Sequence, residues 1–535
     1  MRVTNNMIMR NSSYNIGGTK NLVSLANNQM TTQKKISRPS DDPVIAIRSL
    51  RLGTSLAKTN QYYEKNIPDA ESWLDVTETA LTNMKTLMTD VRTQVVNGTT
   101  DTLTQDDRNT ILTQLRALQT QLYSEGNADY AGRTVFTGYR TDKDLVFSEN
   151  ELETSYTINQ DFDYMDMGSF DYFTGEVNVP TTQSEVLGYA AADEDVLKSS
   201  YYRIHTAYRE LDNLSTFSYS YGEGDAATKV SYSIDPNTGD VTKESTTGTG
   251  DTATTTSETA TNVHVYADEK EWADAMSGKN VNDDDIVIIK STGNIIFGNN
   301  VSSEIKTNRA DMAATYDKTG FDKGELKPEY YFNCTDKTNP INPIEFTKYD
   351  ENGKMVEYDI NYTVASNQQL TVNLEASDAF NSDLQRDIDD LIDVVNRSMA
   401  AHDKVAQLKA MKNETQYEDK QYQDTLDKWI TAAQKEADLA DHHLQTLFSS
   451  ELGNVDRYIS DINLAITKVG CTMDQLKLTE TRMNNQQTTI QDLQSQNEDL
   501  DLSTIILKYT ASYNAYQSSL TAAGKLSGMT LLNYI

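Results

Sequence analysis

Cysteine is almost missing from this chain. Cys334 and Cys471 are the only two in 535 residues, too few for a disulfide framework, and no Cys-x-x-Cys pair exists to hold zinc or run thioredoxin-type exchange. No apolar run approaches the roughly 18 residues of a membrane-spanning helix. The opening MRVTNNMIMRNSSYNIGG lacks the long apolar stretch of a secretory signal peptide, so general secretion rules predict a cytoplasmic protein. Positive charge is scarce as well. The 47 basic and 80 acidic side chains leave a formal charge of -33, which argues against DNA or RNA as a partner, because phosphates need a basic patch.

Motifs for common chemistries are also missing. The five histidines are His205, His264, His402, His442 and His443. None sits in His-Glu-x-x-His, so a zincin site is excluded. His205 and Glu210 are five residues apart and would not face each other on a helix. His442 and His443, beside Asp441, would point apart as adjacent helical residues. Gly248 and Gly250 fit neither a dinucleotide fingerprint nor a P-loop, and no Gly-x-Ser-x-Gly turn is present. Asp283-Asp284-Asp285 lacks EF-hand spacing and reads as a turn before a strand. No catalytic, cofactor-binding or metal-binding residue is assigned, and no enzyme is expected.

What the chain does have is two helical ends around a different middle. Residues 141–380 hold 17 Lys+Arg and 44 Asp+Glu, a net of 17 − 44 = -27. The ends together carry only -6, and residues 1–62 are basic, with nine cations against Asp41 and Asp42. Such an acidic middle would serve solubility. Ser40-Asp41-Asp42-Pro43 predicts a helix start, with Asp42 as cap and Pro43 in the first turn. From there the stripe Tyr63, Ile67, Ala70, Leu74, Thr77, Leu81, Met84, Met88, Val91, Val95 steps by four and three, a heptad seam. The stripe keeps phase across Pro68, so a kink and not a break is expected, and Asn97-Gly98 ends the helix. Thr104-Gln105-Asp106-Asp107 is a capping box for a second helix striped Ile111, Leu115, Leu118, Leu122.

The C-terminal end mirrors this. Ser382 is expected to cap a helix striped Leu384, Ile388, Leu391, Val395. A longer seam follows at Phe448, Leu452, Val455, Ile459, Ile462, Ile466, Val469, Met473 and Leu476. It weakens through Glu480 and Met483 and recovers at Ile490. The acids between Asn497 and Asp501 interrupt it, and a last helix carries Ile506, Tyr509, Tyr513, Tyr516, Leu520 and Ala523. At 1.5 Å per residue, residues 43–97 and 448–494 would reach roughly 80 and 70 Å. Neither stripe can be buried alone, and each large side chain gains about 1.5–3 kcal/mol on burial. The stripes could pair within the chain or between molecules; pairing within the chain is favoured, because both ends must emerge from one middle region.

In the middle, Val230–Ile234 with Val241–Lys243, Ile286–Lys290 with Ile295–Phe297, and Met355–Val364 with Gln369–Leu374 predict three hairpins. A helix is expected along Leu197, Tyr201, Ile204, Tyr208 and Leu211, and another at Asp268–Met276. Ser245–Thr261 is low-complexity and predicts an exposed loop. The expected fold is therefore α+β: a long antiparallel helical rod, coiled-coil-like, built from both chain ends, with an inserted β-rich middle of one or two domains. The boundaries are 1–39 for a terminal assembly segment, 40–140 and 381–497 for the two halves of the rod, 141–380 for the acidic insert, and 498–535 for a terminal assembly helix.

Several of these residues resemble the flagellin superfamily. Met30-Thr31-Thr32-Gln33-Lys34-Lys35-Ile36 with Arg38-Pro39-Ser40-Asp41-Asp42-Pro43 is similar to its N-terminal signature, although the family usually has Gly where Gln33 stands. That departure puts the helix end near residue 33 in question, since glycine eases a left-handed turn. Gly132–Thr141 (GRTVFTGYRT) and Leu526–Ile535 (LSGMTLLNYI) resemble the hook-associated branch of the family, which joins flagellar hook to filament. The resemblance covers residues 1–145 and 380–535. It implies a structural protein of the bacterial flagellum with no cofactor and an extracellular location reached through the flagellar type III export apparatus, without a cleavable signal. The implied partners are copies of itself in a ring, the other junction protein, flagellin and an export chaperone, with neither nucleic acid nor membrane insertion. A filament-forming flagellin is the alternative, and a flagellin-type carrier with an enzymatic insert a remote one. The resemblance implies assembly contacts at Leu22, Leu25, Met30, Ile506, Tyr509, Tyr513, Tyr516 and Leu520, on end segments that order only in the polymer. Leu74, Leu81, Met84, Met88, Val91, Leu452, Val455, Ile459, Ile462, Ile466 and Val469 are left as the intrachain seam.

Overall fold

The computed structural model describes residues 5–528 except 101–102, 175, 190–195, 237, 249–252, 277–280, 351–352 and 357. The first four residues, the Met529–Ile535 part of the closing motif, Asn237 of one turn and Gly250 lie outside the described residues. The chain is α+β. Long helices occupy both ends, α1 (Asn5–Thr32), α2 (Pro43–Gln61), α3 (Ile67–Gly98), α4 (Gln105–Gly126), α9 (Asp383–Lys412), α10 (Lys420–Glu498) and α11 (Leu502–Gly528). Four shorter helices lie between them, α5 (Gln183–Leu187), α6 (Glu269–Met276), α7 (Asn299–Asn308) and α8 (Ala376–Ala379). The chain divides into two compact units, one of residues 1–71, 361–371 and 472–535, the other of 72–360 and 372–471.

In the first unit, α1 packs on α11. Asp42 caps α2 by accepting from the Val44 and Ile45 N–H groups at 2.9 and 3.2 Å, with Pro43 in the first turn, as its position predicts. Pro68 neither breaks nor ends the helical path. One π-turn, Tyr62–Asn66, precedes it, and the Ile67 N–H bonds the Tyr62 carbonyl. A proline cannot donate to the carbonyl four residues back; the widened turn absorbs that mismatch ahead of the ring. The hairpin β16 (Asn361–Ala365) and β17 (Gln368–Thr371) turns through Asn367 at φ +61°, a left-handed position that asparagine tolerates. This hairpin, expected inside the acidic insert, belongs to the unit of the terminal helices. The Asn66 side chain donates to the Thr363 carbonyl at 2.7 Å, and Tyr362 bonds Asp69.

In the second unit, Leu74, Thr77, Leu81, Met84, Met88, Val91 and Val95 of α3 are all buried. Gly98 ends α3 where a Cβ would lie 2.1 Å from the Phe448 ring of α10. Arg92 and Asp456 pair across these two helices at 2.6 Å. The stripe on α10 is displaced from the expected one. Phe448, Val455, Tyr458, Ile462, Ala465 and Val469 are buried, while Leu452, Ile459 and Ile466 are half-buried at its flank. The physical reason is a second neighbour: α9 also lies against α10, and the Tyr458 hydroxyl donates to Asp387 of α9 at 2.6 Å. A helix with two neighbours buries a wider stripe than a two-helix seam. α4 begins with the expected capping box of Thr104 and Asp107. Ser382 does not cap α9; its neighbour Asn381 accepts from the Asp383 N–H at 3.3 Å. Val177 and Val186 of the middle segment pack with Tyr417, Leu426 and Trp429 of the α9–α10 hairpin.

The middle forms two larger sheets. One has the order β15 (Ile344–Phe346), β14 (Asn333–Asp336), β3 (Glu151–Phe162), β13 (Asp311–Phe321), β6 (Asn213–Tyr221), β7 (Thr228–Ile234), β8 (Val241–Thr247), β9 (Thr254–Ala260), antiparallel throughout. The other runs β10 (Val263–Tyr266), β11 (Ile286–Ile289), β12 (Asn294–Phe297), β5 (Leu197–His205), β4 (Gly168–Thr174), with only β10 and β11 parallel. A small hairpin, β1 (Asp129–Tyr130) and β2 (Arg133–Thr134), precedes them. Two expectations fail here. The helix along Leu197–Leu211 is instead strand β5, in which Tyr201 pairs with Phe170 and Ile204 with Ile295. Aromatic and β-branched residues paired on both sides favour a strand over a 3.6-residue stripe. Of the loop expected over Ser245–Thr261, the described residues instead hold the end of β8 and all of β9, paired antiparallel, because β-branched threonines suit an extended ladder.

Candidate assembly interface

α1 and α11 hold two cations each, Arg10 and Lys20, Lys508 and Lys525, and no acid. In a chain of -33 that is a local exception. The helices meet through Ile16, Val23 and Ala26 on one side and Ile505, Tyr509 and Tyr516 on the other, all buried or half-buried. Large apolar side chains are exposed among the polar residues of their outer faces: Tyr14 is 80% exposed and Leu507 72%. Leu50, on α2 in the same unit, is 70% exposed. Of the expected contact residues, Leu22, Leu25, Ile506, Tyr513 and Leu520 are exposed, while Met30, Tyr509 and Tyr516 are half-buried. The Tyr509 and Tyr513 rings stack at 6.0 Å.

The turns at the near ends of α1 and α11 are tied to each other. α1 stops at Thr32, and Gln33 takes φ +56°. The Gln33 N–H still donates to Gln29 at 2.7 Å, and the Gln33 carbonyl accepts from Leu500 at 2.8 Å. The Lys35 N–H donates to the Glu498 carbonyl at 2.7 Å, and Lys34 Nζ lies 2.6 Å from Asp499 and 3.3 Å from Glu498. Gln29 Nε2 donates to the Lys35 carbonyl at 2.7 Å, and Asn497 Nδ2 to the Ile45 carbonyl at 3.1 Å. The Lys34 ammonium holds the Asp499 carboxyl below its ordinary value. Ser49 and Lys34 do the same for Glu498, Ser49 more strongly. This clasp was not foreseen. The one trace of it in the sequence is a basic pair, Lys34-Lys35, that complements an acidic pair, Glu498-Asp499, at matching helix ends.

The histidines are dispersed. His205 lies 3.6 Å from Asp387, His264 3.6 Å from Asp285, and buried His443 3.9 Å from Asp171. Ser398, His402 and Arg108 all bond Asp441, at 2.6, 2.9 and 2.8 Å. This is not a nucleophile arrangement, because Ser398 donates to the carboxylate and not to the imidazole that would have to activate it. Among the described residues no cluster of three or more His, Cys, Asp or Glu side chains could hold a metal ion, and no helix is long and apolar enough to cross a membrane.

The helix pair from the two chain ends thus carries cations and no acid, with large apolar side chains among its exposed residues. In this chain residues 3–141 match the bacterial flagellin N-terminal helical region. The chain is similar to flagellar hook-associated protein 3 of Escherichia coli K12, with 32% identity over 124 residues, 23% of this chain and 38% of that one. The same protein of Salmonella typhimurium is 28% identical over 143 residues, 26% of this chain and 45% of that one. The chain thus spans less than half the length of either relative. Among solved structures, the flagellar junction protein FlgL from Legionella pneumophila aligns over 85% of this chain and all of that one, at 9% identity and a TM-score of 0.27.

Proposed function

We propose that this chain is a hook-associated structural protein that joins the flagellar hook to the filament and has no enzymatic role. The observation that carries the reading is the α1–α11 pair, free of acids and with large apolar side chains exposed, in a chain whose N-terminal region matches the flagellin type. Buried against neighbouring subunits, each exposed large side chain would contribute about 1.5–3 kcal/mol to assembly. The contacts are Leu22, Leu25, Met30, Ile506, Tyr509, Tyr513, Tyr516 and Leu520, with copies of this chain in a ring, the second junction protein and flagellin. The terminal segments, 1–39 and 498–535, take their final order in that assembly, and residues between them form the helical core and the outward acidic middle. The protein works outside the cell, on the flagellum, delivered by the flagellar export apparatus with a chaperone. Deleting its gene is expected to leave hooks intact and release flagellin into the medium; normal filaments in the deletion strain would overturn the reading. A filament-forming flagellin is the second reading, favoured by the flagellin-type N-terminal region. Under that reading the purified protein would elongate alone into filaments on seeds.

A further inference from the structure

A cavity of about 800 Å³ lies in the second unit, where β5, the turn Tyr164–Asp166, α9 and α10 meet. Of its eight acidic lining residues, three stand together without a guanidinium bond. Asp383 and Asp387 stand one turn apart on α9, and Glu451 faces them from α10. Asp387 accepts from the Tyr458 hydroxyl at 2.6 Å and lies 3.6 Å from Nε2 of His205 on β5. Glu451, 9% exposed, accepts from Asn454 at 2.9 Å. Carboxyl groups crowded together in a buried site disfavour ionisation of all of them at once.

The next acid on α9 shows what a permanently charged group requires. Asp390 receives Arg203 at 2.5 Å and Arg386 at 3.0 Å, both buried. The three cavity carboxyls have no such guanidinium bond. Asp383 faces His205 from β5, Asp166 from the turn, Arg457 from α10 and Asp387 on its own helix. Glu451 faces Asp387 and Asp390 across the α9 interface.

We propose that the seat of β5 on α9 and α10 is a proton-operated latch, closed while Asp383 and Glu451 are neutral and loosened when they ionise. The sign follows from burial. Burial pushes Asp383 up to about 6, with His205 pulling the other way. It pushes Glu451 well above the ordinary carboxylate value, and the Asp387 charge adds to that. A carboxyl raised in the folded state binds its proton there, so its stabilisation is full at low pH and is lost as pH rises from the unfolded value toward the folded one. For Asp383, from 3.8 to about 6 is roughly 100-fold in the opening equilibrium, at tenfold per unit. His443, elsewhere on α10, works in the opposite sense. Burial pushes its imidazole down, so acid favours opening there.

Hydrogen exchange of the β5 amides in the full chain, corrected for intrinsic rates, tests this between pH 5 and 8. The opening constant of β5 should rise at least tenfold over that range in the wild type. In the double variant Asp383→Asn, Glu451→Gln, which keeps the shape and the Glu451 hydrogen bond, it should lose that rise. Comparing the two cancels the His443 contribution, and α1 amides serve as the control that should not follow the variant. A wild-type β5 opening constant that is flat across the range, or a double variant with the wild-type slope, would overturn the latch.

Discussion

Gln33 is a non-glycine residue held at φ +56°, and replacing it with glycine should tighten the clasp between the two chain ends. A left-handed L-residue costs roughly 1–2 kcal/mol, because Cβ crowds the following carbonyl. Gln33→Gly removes that cost but returns about 0.5–1 kcal/mol as backbone freedom in the unfolded chain. The net expectation is a gain of about 0.5–1 kcal/mol. Nothing else at the site should change. The Gln33 side chain is exposed, and its two backbone bonds, to Gln29 at 2.7 Å and from Leu500 at 2.8 Å, survive the substitution. Hydrogen exchange at the Gln33, Lys35 and Leu500 amides reads the effect where it arises, as roughly a two- to fivefold rise in protection. Gln33→Ala, which keeps Cβ, should stay near the wild type. If Gln33→Gly lowered protection at Lys35 and Leu500, the left-handed strain would not be the controlling term and the reasoning would be wrong.

Gly98→Ala should destabilise the second unit by about 1–3 kcal/mol, because its Cβ would fall 2.1 Å from the ring of fully buried Phe448; an unchanged melting temperature would mean that α3 and α10 do not approach so closely there. Gly17 and Gly18 have open space where a Cβ would stand, so Ala at each should raise α1 helicity by about 1 kcal/mol per site, read by exchange protection of α1. Loss of assembly in the same variants would show that a partner fills that space. Acid should act on the Asp171 site as well. Burial pushes the Asp171 carboxyl up, but bonds from His443, Lys198 and Ser200 prevail and hold it well below its ordinary value. Its stabilisation is present above the unfolded value of about 3.8 and lost as pH falls below it. Asp171→Asn should therefore be less stable than the wild type at pH 6, with the difference shrinking towards pH 2 in urea melts.

Local signals in the sequence carried the helical ends. Asp42-Pro43, the Thr104–Asp107 box and Gly98 each mark a boundary through groups within one turn of it, so no distant partner is needed to read them. The heptad on α3 was legible because Leu74, Thr77, Leu81, Met84, Met88, Val91 and Val95 are all buried in phase with it. The α10 stripe was not, because which of Leu452 or Glu451, Ile459 or Tyr458, Ile466 or Ala465 faces inward depends on α9 as well as α3. Hydrophobicity alone favours the first of each pair, yet Glu451 and Tyr458 are the buried ones, and the Tyr458 hydroxyl donates to Asp387 of α9. The Leu197–Leu211 misreading has a related cause. Tyr201 and Ile204 fit a helical stripe, but the buried guanidinium of Arg203 between them, bonded to Asn294 and Asp390, makes sense only in a strand with partners on both sides.

The clasp and the carboxyl cavity lie at the far limit of legibility, because each joins residues hundreds of positions apart. They differ in what they ask of the surroundings. Lys34, Glu498 and Asp499 are partly exposed, so their attraction is screened and contributes little. The four backbone and amide bonds beside them set the geometry, and salt should barely loosen it. Asp383, Asp387 and Glu451 are mostly shielded from water, so a single proton shifts their balance by more than all the exposed pairs of the clasp together. If both features operate, the terminal unit would hold its form across pH and ionic strength while the seat of β5 responds to protons.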